Sequence, residues 1–236
     1  MEYLTGAYRD VGCRKRNEDS LGLRIFTKGS KRFLVACVAD GIGSLEDGDV
    51  AGGYVVECML TVVDEFLLKH PSDRINIHLL KRTLQRELYM ASLRMNAYAS
   101  RKNIRMGSTL SMVIFEGRRY LLLQIGDSGI FKISNKHIKR IAPLHIDNNG
   151  VLLRCVGSFR FQTPTFKKGR LGRKKALLLA TDGFFRKMEE ESELHLLDPE
   201  TSETDEQIDK RLATMGERMK VRGERDNMSA LYIRVI

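Results

Sequence analysis

The chain has 236 residues, 42% hydrophobic and 30% charged, with a formal net charge of +10. A chain of that length can bury about 70% or more of its unfolded surface, so it needs no disulfide or metal staple to fold. The composition is that of a globular domain and excludes a fibrous or low-complexity chain, and no stretch reaches the roughly 18 apolar residues a membrane-spanning helix needs.

The opening segment, MEYLTGAYRDVGCRKRNEDS, has no apolar h-region and does not read as a signal peptide, so a cytoplasmic location is the expectation. Arg32 to Ala39, RFLVACVA, is a β-branched-rich run that predicts a strand, ending in the turn signal Asp40-Gly41-Ile42-Gly43. A helix follows from about Asp49, which can cap it; Val50, Tyr54, Val55, Cys58, Val62, Val63 and Phe66 fall at helical spacing, and Pro71 marks its end. A second helix runs from about Ile77 to Ser100, with Leu80, Leu84, Leu88, Ala91 and Met95 in its apolar stripe.

Ser108 to Phe115, Tyr120 to Ile125 and Ile130 to Ile133 predict short strands, with Glu116-Gly117 as a hairpin signal. Between Ser134 and Lys175 periodicity is poor, and the segment reads as a loop-rich, flap-like excursion rather than a domain. Ala176 to Ala180 is another strand, Thr204 with Gln207 resembles a capping box for a helix reaching about Val221, and Ser229 to Val235 closes the chain as a strand. The expected class is α+β, antiparallel sheet with helices packed outside, in a single domain over residues 1–236.

The four cysteines, Cys13, Cys37, Cys58 and Cys155, include no CxxC pair and read as free thiols. The five histidines, His70, His78, His137, His145 and His195, lack paired metal spacing. The densest basic stretch, Lys167 to Lys175, holds six basic residues in nine; a solvated loop and an anion-contacting patch both fit it. No aromatic interleaving or recognition motif accompanies it, so nucleic acid is not the expected partner.

The acidic residues carry the chemistry. Asp40, Asp127 and Asp182 follow predicted strands, each beside a glycine, and Asp226 precedes the last strand; Glu18-Asp19 stands before another short apolar stretch. A single Asp-Gly is a common turn dipeptide. Four such sites would converge if the strand ends meet, and converging carboxylates resist ionising together unless a cation joins them. An all-oxygen ligand set selects Mg²⁺ or Mn²⁺. Two such ions can bridge a water, lower its pKa and aim it at phosphorus. Arg14 and Arg16 lie beside the acidic pair, where a guanidinium fork can grip a phosphate.

These residues resemble the protein phosphatase 2C family in its compact bacterial form. Gly12 to Ser20 resembles GxxRxxNEDS, Val38 to Gly43 resembles VADGMG, and Gly48 to Ala51 resembles GEVA. Met106 to Leu110 resembles MGTTL, Ile125 to Gly129 the GDSR segment, Leu152 to Gly157 LTRALG, Ala180 to Gly183 the SDG segment, and Arg225 to Ser229 the closing DN motif. The resemblance implies an αββα sandwich of two antiparallel sheets flanked by helices. It implies a metal-dependent serine/threonine phosphatase that uses direct attack by a metal-bridging water. Asp40 would bridge two Mn²⁺ or Mg²⁺ ions, the Gly41 carbonyl would bind one, and Asp182 and Asp226 would complete the other. Glu18 and Asp19 would act through water, Asp127 with Asp182 would hold a third, weaker ion, and Arg14 would grip the phosphate. Phosphorylated proteins as substrates, a cognate serine/threonine kinase and a monomeric state are also implied.

Two departures stand out. Ser44 replaces the usual second glycine, and Ala142 to Asp147 does not match the flap motif, leaving His145 as either a proton donor or a plain loop histidine. A phosphatase-like regulatory or binding module is the alternative, and the presence of every core carboxylate favours the enzyme.

Overall fold

The computed structural model describes residues 2–29, 31–42, 47–70, 74–157, 160–201 and 204–236. Gly43 and Ser44 of the glycine motif, and Pro71 as the helix stop, lie outside the described residues. In chain order the elements are β1 (Tyr3–Asp10), β2 (Asp19–Lys28), β3 (Lys31–Asp40), α1 (Gly48–Lys69), α2 (Ile77–Lys102), β4 (Leu110–Glu116), β5 (Arg119–Ile125), β6 (Gly129–Ile133) and β7 (Ile138–Arg140). They continue with β8 (Thr165–Arg170), β9 (Ala176–Ala180), α3 (Asp182–Phe185), α4 (Glu190–Leu197), α5 (Asp205–Val221) and β10 (Met228–Val235).

Two five-stranded antiparallel sheets form, in the orders β1-β10-β9-β6-β7 and β2-β3-β4-β5-β8. Strand β3 shows why its sequence is apolar at nearly every position. Leu34, Ala36 and Val38 face the first sheet, where they meet Leu177, Leu179 and Leu231. Val35, Cys37 and Ala39 face outward onto α1 and α2, against Val55, Met59, Leu84 and Leu88. A strand buried on both faces has no polar side to alternate with. Strand β9 repeats the logic, with Leu178 and Ala180 turned toward Leu212, Met215 and Met219 of α5. The result is the αββα layering that the resemblance implied.

Local signals held in part. Thr204 caps α5, its side chain accepting from the Gln207 amide at 3.3 Å, and Asn76 caps α2 in the same way. Asp49 is not the cap of α1; Asp47 occupies that position without a side-chain bond, and Asp49 sits in the first turn. Val50 is 46% exposed, because the buried stripe of α1 runs through Ala51, Val55, Met59 and Val63. The 134–175 segment is less loop-like than its periodicity suggests. It contains β7 and β8, and β8 closes the edge of the second sheet beside β5. Half of the basic run Lys167 to Lys175 is therefore edge strand.

Candidate active site

The strand ends bring the acidic residues together. Asp40 is the last residue of β3, Asp127 follows β5, Asp182 opens α3 directly after β9, and Asp226 precedes β10. With Arg14, Glu18, Gly41, Ile42, Thr109, Leu152 and Asn227 they line one cleft of about 370 Å³. Asp19 lies beneath this cleft, 1% exposed, and its Cα pairs with that of Asp40 across β2 and β3. All eight residues predicted for the site thus belong to one region.

Hydroxyls and amides hold the carboxylates in place. Thr181 Oγ1 donates to Asp19 Oδ2 at 2.8 Å and accepts from the Ser229 amide at 2.9 Å. Thr109 Oγ1 accepts from the Asp40 amide at 2.9 Å and lies 2.6 Å from Ser128 Oγ. Asn227 fixes the Arg14–Glu18 loop: its Oδ1 accepts from the Glu18 amide at 2.8 Å, and its Nδ2 donates to the carbonyls of Val11 at 2.8 Å and Arg16 at 3.0 Å. Gly41 and Gly183 are required by close approach, since a Cβ would overlap the Gly48 carbonyl in one case and the Asn227 carbonyl in the other.

Burial and neighbouring like charge shape the electrostatics of the deeper carboxylates. Burial, reinforced by Asp182 and Asp226, pushes Asp19 up to about 7 against the pull of its hydroxyl partners. Burial together with Asp19, Asp182, Asp127 and Asp226 holds Asp40 well above the ordinary carboxylate range. Burial and then Asp182 raise Asp127 to about 6. The other oxygen of Asp19, Oδ1, is buried with no hydrogen-bond partner among the described residues. An orphaned carboxylate oxygen inside a ring of oxygen donors fits a hard divalent cation. As they stand, no three acidic, histidine or cysteine side chains among the described residues are gathered closely enough to cage an ion. Two guanidinia stand among the carboxylates. Arg14 pairs with Asp226 at 2.9 Å, and Arg186 pairs with Asp182 and stands 3.8 Å from both Asp226 and Glu224.

A family model, described as protein phosphatase 2C, matches residues 13–217. The chain belongs to the protein phosphatase 2C family. Solved structures of bacterial members carry the same architecture. The S. agalactiae serine/threonine phosphatase is 15% identical, with all of both chains covered and a TM-score of 0.80. PppA of Pseudomonas aeruginosa, described as a key regulatory component of T6SS, is 20% identical over 100% of this chain and 99% of its own, at 0.79. The catalytic domain of the phosphatase PstP, solved with 2 manganese ions, is 21% identical over 99% and 98%, at 0.73. At these identities the likeness carries the fold. No curated protein matches the chain by sequence. Among the described residues no helix is long and apolar enough to cross a membrane.

Of the other residues at the cleft, Thr109, Leu152, Thr181 and Asn227 lie in the motifs that carry the resemblance but had no role assigned from sequence. Arg186 was not singled out, although Asp182 and Arg186 stand at the i,i+4 spacing of a helical ion pair. His145 is neither solvent-facing nor in the cleft. It is 7% exposed; the Gly126 amide donates to its Nδ1 at 3.1 Å, and its Nε2 lies 2.9 Å from Thr165 Oγ1. It buttresses the turn that carries Asp127 and is not placed as a proton donor.

Proposed function

We propose that the chain is a metal-dependent protein serine/threonine phosphatase and that residues 1–236 act as one catalytic domain. The observation that carries this reading is the cleft in which Asp40, Asp127, Asp182 and Asp226 converge over the buried, half-unpartnered Asp19. Asp40, the Gly41 carbonyl, Asp182 and Asp226 would hold two Mn²⁺ or Mg²⁺ ions, Glu18 and Asp19 would orient their waters, and Asp127 would serve a third ion. Bound there, the cations would lower the pKa of a coordinated water, the chemistry that hydrolysis of phosphoserine or phosphothreonine requires.

The protein's own groups do the rest. Arg14 stands at the mouth of the cleft with a side chain 56% exposed, free to exchange Asp226 for a substrate phosphate. Asn227 holds the loop that carries it. Leu152 supplies apolar cover on the substrate side. Phosphorylated proteins, among them a cognate kinase, are the expected partners.

One observation favours a second reading, a phosphatase-like module that binds a phosphorylated partner without hydrolysing it. Arg14 and Arg186 already neutralise Asp226 and Asp182. Hydrolysis of a chromogenic phosphate ester separates the two. The enzyme reading requires turnover with Mn²⁺ that stops with EDTA or in Asp40→Asn; no turnover with either metal favours the module. Turnover that survives chelation and substitution overturns both.

A further inference from the structure

The basic run singled out by sequence has a structural destination away from the carboxylate cleft. Strand β4 runs from Leu110, beside the cleft, to Glu116, seven residues that span about 20 Å. At that far end the β2–β3 hairpin, the β4–β5 hairpin, the segment entering α2 and the edge strand β8 surround a separate cavity of about 360 Å³. Lys31, Arg32, Arg74, Arg118, Arg119 and Arg170 line it, with Glu116 as the one acidic residue among the described residues of the lining.

The fold forces these cations together. Arg119 and Arg170 are cross-strand partners in the β5–β8 ladder, a placement in which like charges repel. Tyr3 ties two of the segments, its hydroxyl lying 3.1 Å from the Arg32 carbonyl and 3.2 Å from the Gly117 carbonyl. Arg118 is half-buried and donates to the Val235 carbonyl at 3.3 Å. Burial lowers its pKa, and Arg173 and Arg170 add to that as like charges. Glu116 meets Lys31 at 3.3 Å and Glu2 meets Arg32 at 3.3 Å, while no described carboxylate pairs with Arg118, Arg119 or Arg170. Among the described residues no aromatic side chain lines the cavity to stack a nucleobase. Several guanidinium forks around a concave space suit tetrahedral oxyanions.

We propose that this cavity is a second anion site, distinct from the catalytic cleft, that binds phosphoryl groups. The chemistry is shared by a free oligophosphate and by a phosphorylated side chain on a protein. The proposal is independent of catalysis.

The test is calorimetric titration of the full chain in metal-free, EDTA-containing buffer at fixed salt. The probes are inorganic triphosphate and a phosphoserine peptide. The variant is Arg119→Glu/Arg170→Glu, which alters two exposed residues outside the catalytic machinery. Binding of either probe by wild type, weakened about tenfold or more in the variant, supports the site; the probe that binds identifies the source. Turnover of a small phosphate ester should be unchanged, which separates this site from the cleft. Absence of binding by both probes, or equal binding by the variant, overturns the proposal. A single-stranded oligonucleotide that binds more tightly than both probes through the same arginines also overturns it, pointing to a polyelectrolyte surface.

Discussion

Asp19 and Asp40 face one another across the β2–β3 ladder at the floor of the cleft. Two carboxylates in direct cross-strand register destabilise a sheet. Here the arrangement is aggravated by burial and by Asp182 and Asp226 nearby. A domain keeps such a pair when something outside the chain relieves it. Asp40→Asn should therefore make the metal-free protein more stable, by on the order of 1 kcal/mol or about 2–4 °C in Tm. It should also abolish the further rise that Mn²⁺ gives wild type. Thermal melts with and without Mn²⁺ check both; a metal-free variant less stable than wild type would contradict the repulsion argument.

Arg186 pairs with Asp182, the carboxylate proposed to hold a cation. Its side chain is 47% exposed, so its field at the cleft is screened and its influence modest. Arg186→Ala should tighten Mn²⁺ binding severalfold, read as Kd by calorimetry. Unchanged or weaker binding would show that Arg186 supports the site rather than competing for it.

Asn227 is 5% exposed and makes three hydrogen bonds to the backbone of the Arg14 loop. Removing it strands buried backbone groups, at about 1–3 kcal/mol. Asn227→Ala should lower the urea midpoint accordingly and weaken substrate binding through misplacement of Arg14. A variant as stable as wild type would mean that water replaces the clamp.

The parts of this fold visible in sequence were those set by single residues or long stripes. Leu80, Leu84, Leu88 and Met95 announce α2, and each aspartate at a strand end announces its place in the cleft. The elements that escaped depend on pairing. Strand β8, TFKKGR, is polar and basic as solvent-facing edge strands are, and only its ladder with β5 makes it a strand. Arg186 is the exception, legible in its i,i+4 spacing from Asp182. His145 needed the turn at Gly126, whose φ of +102° aims the amide at the ring.

His145 also makes a pH prediction. The Gly126 amide donates to Nδ1, so the folded state keeps the ring neutral. Burial, and then Arg154, lowers its pKa. A histidine depressed in the folded state binds more protons unfolded, so its contribution is complete above the unfolded value near 6.5 and is lost as pH falls below it. The slope of stability as pH falls below about 6.5 should be shallower in His145→Gln than in wild type. Identical slopes would assign the acid sensitivity elsewhere.

The most direct test of the carboxylate cleft is a Mn²⁺ titration of the metal-stripped full chain, followed by calorimetry and by metal analysis after dialysis. Wild type should take up two ions per chain, with a weaker third at higher concentration if Asp127 serves it, and Asp40→Asn should retain neither of the first two. Stoichiometric binding that persists in Asp40→Asn, or no binding by wild type, would contradict the assignment of this cleft as a two-metal centre.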